Sequence, residues 1–442
     1  MSMDTVGIPV SAPETVRTAV ESGSRPWYAG LRRWLARRQV RTFMAVYVGL
    51  LRAAAILAPR KRAPGPEGLD ILLTGTFHSD NWIRWHLKPL ADSVRCRRVR
   101  IVATNPVPDV ANVEAIYPPR WMVRTMGAVP ARLLTFMWVA ARSRPHVVGG
   151  FHLLINGLVT ALIGRLVGAR TMYFCVGGPV EALDGGVWGE NRYFERVEIP
   201  DPVIERRLLE AVAACDLVVT MGTRAIRFFQ SRGIDTTFRV VPGGIIPPPP
   251  APPVAPDFDF VLVARLVPIK RIDLFIRALR VVADRHPSVR GLIVGDGPLR
   301  GELEQLSAEL GLTSVLTFAG QQKDVWPWLR RSRVFVLTSD SEGLALSLME
   351  ASLVGLPAVV SRVGDLPDLV EDGVSGYLVE GRTPEAFAER LMEFVGNDER
   401  YAQFSRAAAA AGARIEMSRT VERWNEALDF EARAAESRSA SA

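Results

Sequence analysis

Apolar residues in this chain recur in two rhythms. Short unbroken runs rich in Val, Ile, Leu and Phe alternate with longer stretches in which apolar positions return every three or four residues. In the first half the runs are ILLTG (71–75), VRIVA (99–103), HVVGG (146–150), TMYFC (171–175), DLVVT (216–220) and FRVVP (238–242). In the second half they are DFVLVA (259–264), RGLIVG (290–295), VLTFAG (315–320), RVFVLT (333–338), PAVVS (357–361) and GYLV (376–379). Runs without alternation read as strands covered on both faces, and the helical stretches between them supply the cover. The pattern predicts an α/β protein of two tandem, doubly wound, Rossmann-like domains.

The break between them is a proline spacer, Pro247–Pro250 followed by Pro252 and Pro253, which neither a helix nor a central strand accommodates. The predicted organisation is an N-terminal extension over 1–66, a first domain over 67–246, a linker over 247–256, a second domain over 257–400, and a terminal segment over 401–442. In the terminal segment Tyr401–Phe430 reads as helix, with Trp424 and Leu428 four apart and able to dock on a domain. Ligands of doubly wound sheets sit at the carboxyl ends of the strands, so two such domains define a cleft.

Charge divides the chain unevenly. Residues 1–250 carry a net +13 and residues 251–442 a net −6. A basic first half suits phosphate-rich ligands or an anionic membrane. It also suits nucleic acid, although no recognition motif for nucleic acid is present. The stretch Phe43–Ala58 is apolar except for Arg52 and is flanked by Arg32, Arg33, Arg37, Arg38 and Arg41 before it and Arg60, Lys61 and Arg62 after it. It reads as a helix lying in a membrane interface or as a helix capping the first domain. Three cysteines are too few for a disulfide scaffold, none forms a CxxC pair for a structural zinc site, and the chain fits a reducing, cytoplasmic compartment.

Candidate chemistry concentrates in the second half. Arg265 and Lys270 lie at the turn after the first strand of that half, where two cations suit a diphosphate. Gly295, in the GDGP segment, permits close backbone approach, and Gln321 and Gln322 follow another strand where a nucleobase edge would be read. In SDSEGLALSLMEASLVGLP, Glu342 stands on a loop and Gly343 allows a tight turn, and a helix then carries Glu350. The helix start offers amides to phosphate or sugar oxygens, and the two carboxylates suit hydroxyl donors.

Taken together, R-x4-K, GDGP, EGLALSLMEA and GLPAVVSRVGDLPDLVEDGVSGYLV resemble the donor domain of glycosyltransferase family 4, the retaining enzymes of the GT-B fold, from about Phe260 to Leu391. The segment CDLVVTMGTRAIRFFQSRG with VVPGGI resembles the same family more loosely. The resemblance implies transfer of a sugar from a UDP- or GDP-sugar to an acceptor hydroxyl, with retention, and the two cations make a metal or other cofactor unnecessary. The Arg- and aromatic-rich first domain, with its candidate interfacial helix, suits a glycan or lipid-linked acceptor at the cytoplasmic membrane face. The resemblance implies that Arg265 and Lys270 hold the diphosphate and that Glu342 sits by the sugar. It further implies that Leu344 and Ala345 offer backbone, that Glu350 binds the ribose and that Gly75 lies between donor and acceptor. Two departures stand out: EGLA replaces a more glycine-rich tetrad, and FCVGGPVE (174–181) lacks the histidine many members carry. His78 and His152 remain as acceptor-side candidates. A nucleotide-sugar epimerase on the same fold, recognised by a free epimerised product, and a non-catalytic nucleotide-sugar binder are the competing readings.

Overall fold

The computed structural model describes residues 27–63, 65–76, 80–186, 200–250, 252 and 254–430. The first domain contains α1 (Trp27–Leu57), β1 (Leu69–Thr74), α2 (Asp80–Ala91), β2 (Cys96–Val102), β3 (Val113–Ile116), α3 (Arg120–Met126), α4 (Ala128–Ser143) and β4 (Val147–Phe151). It continues through α5 (Leu158–Val167), β5 (Arg170–Cys175), α6 (Pro202–Ala213), β6 (Leu217–Thr220), α7 (Thr223–Ser231) and β7 (Phe238–Val240). The second domain holds β8 (Phe258–Val263), α8 (Ile272–Arg285), β9 (Gly291–Val294), α9 (Arg300–Glu309), β10 (Leu316–Gly320), α10 (Trp326–Arg330) and β11 (Ser332–Leu337). It closes with α11 (Leu346–Leu353), β12 (Ala358–Ser361), β13 (Gly376–Val379), α12 (Pro384–Met392) and α13 (Asp398–Ala413), after which α14 (Met417–Ala427) follows.

The strands form two parallel sheets, ordered β3-β2-β1-β4-β5-β6-β7 and β10-β9-β8-β11-β12-β13. In each the order reverses beside the first strand, which opens a crevice at the carboxyl ends. One strand escapes the reading from apolar runs. In β3, Val-Glu-Ala-Ile is broken by the exposed Glu114 and is otherwise only half-buried, because it closes the edge of its sheet. The start of β2 is hidden in the same way, since Cys96–Arg98 is charged and partly exposed while Val99–Val102 is buried.

Helix α1 is longer than its apolar stretch and has two different sides. Met44, Tyr47, Val48, Leu51 and Ala54 are buried in the first domain's core, packed with residues of α5 and α6. Tyr47 donates to the Leu158 carbonyl at 2.9 Å, and Arg41 pairs with the buried Asp201 at 2.9 Å. The opposite side leaves Leu31, Trp34, Leu35, Phe43, Val46, Leu50, Ile56 and Leu57 exposed.

The chain crosses between the domains twice. After α13, which packs on α11 of the second domain, α14 returns to the first and buries Trp424 and Leu428 beside α2. The crossings touch, since Met417 N donates to Ile245 O at 3.0 Å and Ile245 N to Ile415 O at 3.4 Å.

Candidate active site

The carboxyl-end loops of β8, β9, β10 and β11 are tied into one platform. Leu266 N donates to Asp296 O at 2.9 Å, Leu299 N to Leu266 O at 3.1 Å, and Gly295 N to Gly320 O at 2.8 Å. A Cβ at Gly295, where φ is +145°, would run into the Ala264 carbonyl. Glycine there lets the GDGP loop press backbone to backbone against the turn that carries Arg265. Thr338 Oγ1 donates to Lys270 O at 3.1 Å and Arg271 O at 2.8 Å, and Asp340 N donates to Ile269 O at 2.8 Å. The loop after β11 is thereby stapled to the Lys270 turn.

On this platform Lys270 Nζ meets Glu342 Oε1 at 2.6 Å, with the two side chains 18% and 8% exposed. Buried Ser339 donates to the same carboxylate oxygen at 2.5 Å. Two residues read separately from sequence are thus one ion pair. The pairing holds the ammonium in place. Arg265 is exposed one turn away, Gln321 is exposed after β10, and Gln322 is folded onto the Ala319 carbonyl at 2.6 Å. Leu344 and Ala345 are buried and lead into α11. A second layer of charge lies behind: Asp340 bonds Arg382 at 2.8 Å and lies 3.6 Å from Arg271.

Glu350 lies inside α11 with 7% exposure and no hydrogen bond or ion pair among the described residues. Burial, then the nearby Asp324 carboxylate, push its pKa up to about 8. A buried carboxyl without donors is suited to hydroxyls brought by a ligand.

Across the cleft the first domain contributes its own carboxyl ends. Gly75 is buried after β1, and His78 lies outside the described residues. His152 follows β4 at φ +65°, half-exposed, with Nδ1 3.2 Å from Glu181 Oε1. Glu181 is buried and also accepts from Leu153 N at 2.6 Å, Gly177 N at 2.6 Å and Tyr173 OH at 2.7 Å. Burial opposes its ionisation, but His152 and these donors prevail and hold its pKa below the ordinary value. The donors and their geometry make it a fixed anion that orients the imidazole.

Arg132 on α4 is buried beneath the same edge. Its guanidinium donates to Gly75 O, to Thr76 Oγ1 at 2.9 Å and to Asn156 Oδ1 at 2.8 Å. It therefore binds the loops after β1 and β4 together. Neither Glu181 nor Arg132 carries a motif in the sequence. Glu181 ends FCVGGPVE without a partner in view, and Arg132 resembles any other helix arginine.

The domains meet beside this edge. A Cβ at Gly343 would lie 2.6 Å from Val176 O. Helix α7 starts at Gly222 with no side-chain cap of its own. The second domain supplies the cap: Asp368 accepts from Thr223 N and, at 2.7 Å, from Thr223 Oγ1, and Asp365 accepts from Arg224 N at 2.9 Å. Asp365 N donates to Gly343 O at 3.1 Å, so the clasp and the Glu342 loop are one unit.

Two facing parallel α/β domains define the GT-B class of fold. Residues 252–411 match the family described as Glycosyl transferases group 1. The chain is 39% identical over 158 residues to D-inositol 3-phosphate glycosyltransferase of Streptomyces griseus, covering 33% of each chain. It is 36% identical over 113 residues to the Vi polysaccharide biosynthesis protein VipC/TviE of Salmonella typhi, covering 26% of this chain and 19% of that one. The chain thus spans a third or less of the length of these curated relatives. The solved structure of Anabaena Alr3699/HepE in complex with UDP superposes with a TM-score of 0.63 at 19% identity, covering 81% of this chain and 99% of that one. That likeness extends the GT-B fold over both domains.

Proposed function

We propose that this protein is a retaining glycosyltransferase, independent of metal, that moves a sugar from a UDP- or GDP-sugar to a hydroxyl of a glycan or lipid-linked acceptor. The observation that carries the reading is the Lys270–Glu342 pair on a platform shared with Arg265. Expulsion of a nucleoside diphosphate leaves charge on the β-phosphate, and Arg265 and Lys270 stabilise it electrostatically. Glu342 is released toward the sugar, and Glu350 receives the ribose hydroxyls. His152, oriented by Glu181, faces the sugar or acceptor from the first domain. The acceptor hydroxyl attacks from the face the phosphate leaves, and the phosphate takes its proton. Support for a UDP donor comes from the HepE complex, which contains UDP. Support for envelope or exopolysaccharide assembly comes from the name of the Salmonella relative.

The proposed place of action is the cytoplasmic face of an anionic membrane, reached peripherally through α1. Its outer side carries Phe43, Val46 and Leu50 at spacings of three and four, and Ile56 and Leu57 are 86% and 76% exposed. Gly30–Leu57 is long and apolar enough to cross a membrane by length and composition. Its other side is committed to the protein core, which favours lying in the interface.

Thermal-shift measurements with UDP, GDP, ADP and dTDP on wild type and Lys270→Ala test the donor site. Stabilisation by one nucleotide, lost in the variant, is expected. An equal shift in the variant removes the phosphate assignment. A Phe43→Asp/Leu50→Asp variant should lose co-sedimentation with phosphatidylglycerol vesicles while keeping the nucleotide shift. Retained sedimentation overturns the membrane assignment.

A further inference from the structure

The first domain holds a cavity that the donor site leaves unused. It opens at the carboxyl ends of β2 and β3, has a volume of about 640 Å³, and is lined by Pro106, Tyr117, Pro118, Arg120, Val123 and Arg124 among others. That volume is within the range of small-molecule sites, roughly 300–1,000 Å³. Its walls are of two kinds. Pro106, Pro118, Val123 and the Tyr117 ring are apolar, and the ring is held by a hydrogen bond from Val107 N to its hydroxyl at 3.0 Å. Arg120 and Arg124 are one turn apart on α3, on one face of the helix, with no hydrogen bond or ion pair among the described residues.

Helix α3 is itself unusual. It buries none of its residues, yet Trp121 is 65% exposed and Met126 38% exposed. The next helix, α4, leaves Leu134, Met137 and Trp138 exposed as well. Two like charges one turn apart repel, and apolar side chains left in water are unfavourable. One ligand relieves both, namely an anion at the end of an apolar chain. Paired guanidinium forks match phosphate oxygens, and the tryptophans suit an interfacial chain.

We infer that this cavity binds the phosphate end of an amphiphilic acceptor, a long-chain alkyl or prenyl phosphate or diphosphate that carries the acceptor sugar. The inference rests on the glycosyltransferase reading and names the acceptor's class. The position agrees with it. In the order β3-β2-β1, the cavity lies one to two strand spacings, roughly 5–10 Å, from the Gly75 loop at the end of β1. A phosphate held there places the following sugar toward the donor.

The test uses the whole protein and dodecyl phosphate below its micellar concentration, with dodecyl maltoside and inorganic phosphate as controls. Tryptophan fluorescence and thermal shift report binding. Dodecyl phosphate should bind at least tenfold tighter than either control. An Arg120→Gln/Arg124→Gln variant should lose at least tenfold in that affinity and keep the wild-type nucleotide shift. Equal binding of the three probes, or unchanged affinity in the variant, overturns the subsite even where the nucleotide shift stands. Loss of the nucleotide shift from wild type overturns the glycosyltransferase reading instead. Phosphatidylglycerol vesicles separate the two sources of phosphate. The variant should sediment with them as wild type does, and a tenfold loss there would assign the arginines to bulk headgroups and overturn the acceptor subsite.

Discussion

Replacing Glu350 by Gln should stabilise the unliganded protein and weaken its donor site, and the stabilisation should grow with pH. A carboxyl with an ordinary value of 4.5 that burial raises to about 8 keeps its proton in the folded state over a range where the unfolded chain has lost it. Stability therefore falls as pH rises through that window and levels off above it. At ~1.4 kcal/mol per pH unit, the cost is about 1.5 kcal/mol at pH 5.5 and about 4.5 kcal/mol at pH 8.5. Gln keeps the shape and has no proton to lose. The gain over wild type should thus be about 3 kcal/mol larger at pH 8.5 than at pH 5.5. Urea unfolding at the two pH values, with signal from the second domain's tryptophans, measures the difference. The same variant should show a smaller thermal shift with its nucleotide, because an amide is a poorer acceptor for two ribose hydroxyls. A Gln variant no more stable than wild type at pH 8.5, or one whose gain ignores pH, refutes the reasoning.

Lys270→Ala strands Glu342 with only Ser339 beside it, so it should lower stability by up to about 3 kcal/mol as well as abolish transfer. Adding Glu342→Gln should restore most of the stability and none of the transfer, measured by melting and by nucleotide release. Arg132→Met removes donors from Gly75 O, Thr76 and Asn156, at a cost of about 1–3 kcal/mol for each buried acceptor left unpaired. Its transfer rate should fall while nucleotide binding, which uses the other domain, stays within twofold. Asp365→Ala/Asp368→Ala removes the cap on α7 at a cost of about 1 kcal/mol per residue. Small-angle scattering should then show a larger radius of gyration, and an unchanged radius would show that the clasp does not hold the domains.

The second domain's strands are continuous apolar runs because helices cover both faces, and such runs are visible in one dimension. Strand β3 has one such neighbour and an open edge, so its pattern is too mixed to register. The candidate residues Arg265, Lys270, Glu342 and Glu350 lie in short segments that keep their spacing along the chain, so they could be picked out as candidates from sequence. Glu181, Arg132 and the Asp365–Asp368 cap act across distances of 24 to 145 positions. Nothing local marks a residue whose partner is folded in from elsewhere. Helix α1 shows the limit differently. Its periodicity served two readings, and the structure commits one stripe to the core while a second stripe stays apolar and exposed.

The twin crossing between the domains governs how the cleft can move. A single tether would let one domain swing, twist and drift relative to the other. Here the outgoing and returning strands are hydrogen-bonded at Ile245, Ile415 and Met417, so both pivots coincide. Two bodies joined at one line keep a single rotation, like a book on its spine. Opening then separates the Gly75 and Glu342 edges along one arc and returns them to the same register. The platform of the second domain is thus presented to the same first-domain residues at every closure.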